Sequence, residues 1–199
     1  TADFTPATTA LTSDGNTSLL LGMQGAKILD KSQSTQTLTL AGNTTASTAQ
    51  YKYLPTSMYF DGTGDYLTVN HDALGTGDWT IEGWVYFNTI SSQYIFDFRS
   101  GSNTNPALNI EYDSVWGNDW RYISDANYRI QSGITPSANT WYHFAIVKNN
   151  GTTTLYINGS SLGTYSDSLN YVGNSAAQIG KYHNSGAAYL DGYLSDFRI

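Results

Sequence analysis

Hydrophobic positions along this chain come in short β-branched and aromatic runs, each closed by Gly, Asn, Asp or Ser. Helical spacing is almost absent, and this rhythm predicts an all-β sandwich or barrel. SLLL (18–21), QTLTL (36–40), SMYF (57–60) and DYLTV (65–69) read as strands. WTIEGWVYF (79–87), YIFDF (94–98), ALNIEY (107–112), WRYI (120–123) and NYRI (127–130) follow. TWYHFAIVK (140–148), TTTLYI (152–157), SLGTY (161–165), AAQIG (176–180) and AYLDGYLSDFRI (188–199) complete the set.

Two features sharpen this pattern. Asn150-Gly151 and Asn158-Gly159 supply the positive φ angles of tight hairpin turns, so residues 140–165 read as a three-stranded meander. In WTIEGWVYF, Trp79, Ile81, Val85 and Phe87 share one face while Glu82, Trp84 and Tyr86 share the other. Both faces are heavy, which predicts a central strand. SDSLNYV (166–172) reads as a helical turn or a loop, and residues 1–17 as a polar linker or extended lead-in to a domain spanning 18–199.

Composition narrows the partners. Nine basic against sixteen acidic residues give a net charge of −7, which disfavours nucleic acid and anionic membrane surfaces. No apolar run reaches the ~18–20 residues of a membrane-spanning helix, so no membrane insertion is expected. Without cysteine there are no disulfides, thiolate metal sites or cysteine nucleophiles. Only 13% of residues are charged, which suits an extracellular or virion-surface β protein.

The segments SMYFDGTGDYLTV (57–69), WTIEGWVYF (79–87), WYHFAIVKNNGTTTLYINGSSLG (141–163), QIGKY (178–182) and LDGYLSDFRI (190–199) fall in a recognisable order. In them the chain resembles a laminin-G-like, concanavalin-A-like lectin of the pentraxin superfamily. The resemblance implies a two-sheet antiparallel jelly roll. A narrower resemblance lies in ADFTP (2–6), the turn at Asp30-Lys31-Ser32 and GYLSDFRI (192–199). These are similar to one repeat of the tandem arrays in marine bacteriophage virion proteins, implying neighbouring repeats or virion subunits as partners.

Calcium is the first expectation for a site, since members of the superfamily often carry it at the sandwich rim. Hard cations take six to eight oxygens. Asp61 and Asp65 flank Gly62 and Gly64, and the fold implied by the resemblance brings Asp191 near them, with Asp30 a further candidate. The alternative is that Asp61 holds the turn's own amides. A glycan-binding surface is the second expectation, in residues 109–130. There Tyr112, Trp116, Trp120, Tyr122 and Tyr128 alternate with polar residues including Asn118 and Asp119. Sugars are held by aromatic planes and planar polar groups, and Trp116 to Trp120 reads as a loop tip. The alternative places Trp120 and Tyr122 in the core.

Catalysis finds little support. Only Glu82 and Glu111 are glutamates, 29 residues apart, whereas a glycosidase needs two carboxylates within ~5–9.5 Å. Glu82 beside Asp97 is one conceivable pairing. His143 reads as a satisfied core histidine. The chain is therefore expected to be a non-catalytic carbohydrate-binding or adhesion module of a phage tail fibre or similar surface protein. It would be calcium-stabilised and directed at a cell-surface glycan. A ligand-free spacer or decoration domain is the alternative, and a glycan hydrolase the third reading.

Overall fold

A computed structural model describes residues 2–100, 104–115, 117–184 and 186–199, with Tyr112 and Asp113 described by their backbone alone. Every element among the described residues is a strand. In chain order they are β1 (Leu21–Gln24), β2 (Lys27–Asp30), β3 (Leu38–Ala41), β4 (Thr45–Ser47), β5 (Ser57–Asp61) and β6 (Tyr66–His71). Then come β7 (Trp79–Phe87), β8 (Gln93–Asp97), β9 (Ala107–Asp113), β10 (Gly117–Ser124) and β11 (Asn127–Gln131). The chain closes with β12 (Trp141–Asn149), β13 (Thr152–Ile157), β14 (Ser160–Ser166), β15 (Asn174–Ile179) and β16 (Asp191–Arg198).

Two seven-stranded antiparallel sheets face each other, and β1 and β2 form a small hairpin beside them. The first sheet runs β14-β13-β12-β7-β16-β5-β4 and the second β11-β10-β9-β8-β15-β6-β3. The meander expected from the two Asn-Gly turns is β12-β13-β14, with Asn150, Gly151, Asn158 and Gly159 all at positive φ. As its two heavy faces require, β7 is central, between β12 and β16. Segment 166–172 is not helical; Asp167 and Tyr171 sit in the connection from β14 to β15, and Tyr171 bridges Gly75.

The core between the sheets sets a group of large aromatic side chains among aliphatic ones. Phe60, Phe87, Phe96, Phe98, Phe144, Phe197, Trp120 and Tyr122 are buried there. A polar knot closes one end, where Lys148 lies 3.6 Å from Asp167 and donates to the Leu169 carbonyl. Tyr171 in turn donates to Asp167. A cation taken out of water needs such partners.

The N-terminal segment does not hang free. Phe4 pairs its amide with the Gly159 carbonyl and sets its ring against His143 and Tyr156. Further along, Tyr53 donates to the Ala7 carbonyl and Arg198 to the Thr12 carbonyl. The segment is thus a strap over the outer face of the first sheet. His143 is buried beneath it, not between the sheets, and its Nε2 faces Glu82 at 3.2 Å.

Candidate functional site

The Asp61–Asp65 stretch is a corner between sheets. It carries the chain from β5 in the first sheet to β6 in the second. Gly62 and Gly64 both lie at φ +81, and a Cβ on Gly62 would come within 3.0 Å of the Asp191 side chain. The corner therefore excludes larger residues on two counts. Asp65 is fully buried, and its carboxylate accepts from the Asn43 and Asp61 amides. Asp61 accepts from the Thr63 amide, the turn-holding role expected of Asp before Gly.

As the resemblance implied, Asp191 stands opposite Asp61 in the β16–β5 register. Its two oxygens accept from Asn88 at 2.8 Å and Thr89 at 2.7 Å. Asp30 lies elsewhere, and its oxygens accept from the Leu20, Ser32 and Gln36 amides and the Ser32 hydroxyl. These four carboxylates are committed to tying the chain together. Among the described residues no group of three or more His, Cys, Asp or Glu is placed to hold a metal ion. Without such a group, the carboxylates do not converge as those of a carboxylate-rich calcium site do, where six to eight oxygens meet at one point.

On the second sheet, strand alternation sorts the residues expected to bind glycan into two sets. Trp120 and Tyr122 point into the core at 1% and 0% exposure, so they form no part of a surface. Their neighbours Asp119 and Arg121 point outward, joined by a 2.7 Å ion pair. The Gly133 amide donates to the second Asp119 oxygen, which roofs that carboxylate. Asn118 is the second residue of the same strand, half-buried, with an Oδ1 that has no partner among the described residues. Trp116 and the Tyr112 side chain lie outside the described residues.

Tyr128 is the exposed member, at 46%. Its hydroxyl donates to Glu111 at 2.6 Å, and the Arg121 guanidinium sits 4.9 Å from its ring centre. Burial and then the Glu111 bond push the phenol up to about 12. The other Glu111 oxygen accepts from Asn109, which is opposite Arg121 on one side and Tyr94 on the other. The outward row is thus Tyr94, Asn109 and Arg121, crossing β8, β9 and β10.

A second knot adjoins this row. Asp97 accepts two bonds from the Arg99 guanidinium and faces His183 Nδ1 at 2.8 Å. Burial works against the Asp97 charge, yet the bonds from Arg99 and His183 outweigh it and hold the carboxyl below its usual range. Tyr94 and Tyr182 tilt against each other at 5.0 Å, with Arg99 alongside both rings. Asp97 and Asp119 are paired with Arg99 and Arg121, so the face combines half-exposed tyrosine planes with planar polar groups whose charges are largely matched.

Sequence reasoning reached Asp119 and Tyr128 but passed over Tyr94, Asn109, Arg99, Tyr182 and His183. In ALNIEY the signal was available, because Asn109 and Glu111 alternate with the apolar Leu108 and Ile110. The other members come from strands and connections distant in sequence, which no local pattern joins.

With the fold and face described, known proteins give the wider setting. Residues 61–199 match the family profile described as concanavalin A-like lectin/glucanases superfamily, Laminin_G_3. The chain belongs to that superfamily. Comparison with curated protein sequences gives no match. Among solved structures, the receptor binding domain of botulinum neurotoxin C/D mosaic serotype superposes with a TM-score of 0.68 at 17% identity. That match covers 92% of this chain and 47% of the toxin domain. The binding domain of Paraclostridial Mosquitocidal Protein 1 gives 0.67 at 18% identity, covering 92% of this chain and 48% of that one. Domain 4 of the GH43 arabinanase AbnA from Geobacillus stearothermophilus, in complex with arabinotriose, gives 0.58 at 14% identity, covering 82% and 81%. The chain spans about half the length of the two toxin domains. At these identities the likeness is one of fold.

Proposed function

We propose that the chain is a non-catalytic carbohydrate-binding module whose recognition surface is the outer face of the second sheet around Tyr128, Glu111 and Tyr94, with the buried Asn109 and Arg121 holding Glu111 and the Tyr128 ring from beneath. The observation that carries this is Tyr128, an exposed ring fixed from two sides, by Glu111 at its hydroxyl and Arg121 at its face. A ring fixed before binding loses little entropy when a sugar C–H face settles on it. Glu111 and the edges of Tyr94 and Tyr182 supply hydrogen-bond partners beside it. The ligands of fold neighbours, arabinotriose for the AbnA domain and SialylT for a botulinum neurotoxin DC binding domain, support this reading.

Catalysis has no geometry to support it. Glu82 faces out from the first sheet, bound to His143 and Arg198, while Glu111 faces out from the second. Packed sheets lie ~10 Å apart, so these glutamates stand beyond the ~5–9.5 Å of a glycosidase pair. Asp97 belongs to the second sheet as well, and does not meet Glu82. The biological setting we propose is an extracellular or virion-surface adhesion protein such as a phage tail fibre. Support for it comes from the composition and the resemblance of residues 2–6 and 192–199 to tandem virion repeats. A calcium-stabilised form is no part of the proposal, because the four aspartates are already engaged.

A glycan array probed with the domain displayed as multimers tests the reading. Binding that falls with Tyr128→Ala is expected; no binding on a broad array sinks it. Burial of Trp120 and Tyr122 favours a second reading, a ligand-free spacer, which a blank array would leave standing.

A further inference from the structure

Opposite the tyrosine face, at one end of the first sheet, lies a cleft of about 600 Å³. That falls within the roughly 300–1,000 Å³ of small-molecule sites. One wall is the N-terminal turn at Asp14, another the start of β7 with Asp78, and a third the end of β12 with Asn149. Trp79 and Val147 line it with apolar surface, and Arg198 stands at its side.

Each wall is held from behind. The Asn16 amide and Thr17 hydroxyl both donate to Asp14 Oδ1 at 2.9 Å, and the Asn150 amide donates to Asp78 Oδ1 at 2.9 Å. In both carboxylates the partner oxygen, Oδ2, takes no protein donor among the described residues. The Asn149 amide group is also without a protein partner there. Trp79 is 8% exposed and its indole N–H has no acceptor among the described residues. Rigid acceptors, one amide and an apolar floor are therefore gathered with their outward valences open.

Charge narrows what fits. Arg198 is paired with Glu82, and Lys148, which also lines the cleft, with Asp167. Asp14 and Asp78 remain, so the lining is net acidic and repels anions. A ligand with many hydroxyl donors and an apolar C–H face meets every wall: donors to the two Oδ2 atoms, acceptors toward Asn149, carbon against Val147 and Trp79.

We propose that this cleft is a second carbohydrate site, taking a neutral mono- or disaccharide unit and rejecting acidic sugars. It rests on its own cavity and lining, independent of the Tyr128 face. Backbone amide NMR of the full chain tests it, titrating neutral hexoses, N-acetylhexosamines and their disaccharides, with glucuronic and N-acetylneuraminic acids as anionic controls. Saturable shifts at Asn16, Thr80 and Asn149 with a neutral sugar are expected, with none from the acids. Asn149→Trp, which fills the cleft, and the milder Asp78→Ala should each weaken those shifts at least about tenfold, and Tyr128→Ala should leave them unchanged. Silent amides at Asn16, Thr80 and Asn149, or equal shifts with the acids, overturn the cleft proposal. Loss of shifts near Tyr128 alone overturns only the tyrosine face.

Discussion

Single side chains on this scaffold do two kinds of work, and exposure separates them. Tyr128 stands 46% exposed and closes no part of the core. Tyr128→Ala is expected to lower glycan affinity by about tenfold, near 1.4 kcal/mol, in calorimetric titration. Unfolding free energy should move by less than about 1 kcal/mol, as for most surface changes. Asp30 is the reverse case, since its carboxylate satisfies three amides and a hydroxyl. Asp30→Ala should cost about 2–3 kcal/mol in denaturant unfolding, because bonds to a charged acceptor are the strong ones. Glycan binding should be untouched.

At the scale of one element, β10 shows why burial cannot be read from residue type. Its tryptophan and Tyr122 fill the core, while Asp119 and Arg121 alternate with them on the other face, buried there as an ion pair. Trp120→Ala should therefore destabilise by about 3–5 kcal/mol, seen as an earlier thermal transition, with any binding loss following from unfolding. The N-terminal strap behaves as an element too, although it forms no strand. Deleting residues 2–10 removes the Phe4 ring from His143 and Tyr156 and breaks its bond to Gly159. Hydrogen exchange should then quicken in β13 and β14 while β9 and β10 keep their protection. Uniform acceleration in both sheets would contradict that picture.

Across the whole molecule, buried titratable groups set the response to acid. Burial depresses His71 below its ordinary 6.5, so the unfolded chain takes up that proton first and stability begins to fall below about pH 6.5. Asp97 and Glu82 are held below their ordinary 3.8 and 4.5 by Arg99, His183, His143 and Arg198, against the opposing pull of burial. Their contribution is complete above about pH 4.5 and disappears as pH falls through the lowered folded values. Asp196 runs the other way, raised chiefly by burial, and softens the decline. Urea unfolding from pH 7 to 3 should show a shallow loss and then a steeper one. Chelation should leave the melting temperature unchanged, since the aspartates of the Asp61 corner hold the turn and the facing strand through protein donors; a calcium-dependent rise would overturn that assignment.

Much of the fold was legible in the chain. Two-residue alternation located nearly every long strand, Asn-Gly pairs located the meander, and heavy faces on both sides located β7 in the centre. The short β2 and β4 escaped, and the reading of SLLL at 18–21 meets β1 only at Leu21, because three or four residues carry too little pattern. Local sequence also marked Asp61-Gly-Thr-Gly-Asp65 as a tight turn, since few other residues tolerate φ +81. It did not show that the turn changes sheets or that Asp191 closes against it, which depend on a strand 130 residues away in the register Asp191↔Asp61. Alternation assigns residues to two faces, yet only packing decides which face meets the other sheet. That step sent Trp120 and Tyr122 inward, set Tyr128 against Glu111 and Arg121, and parted Glu82 from Glu111. The sequence by itself determined strands, turns and fold class, because those follow from local backbone preference and period. The recognition face belongs to the tertiary structure, because its residues come from separate strands and connections that meet only when the sheets close.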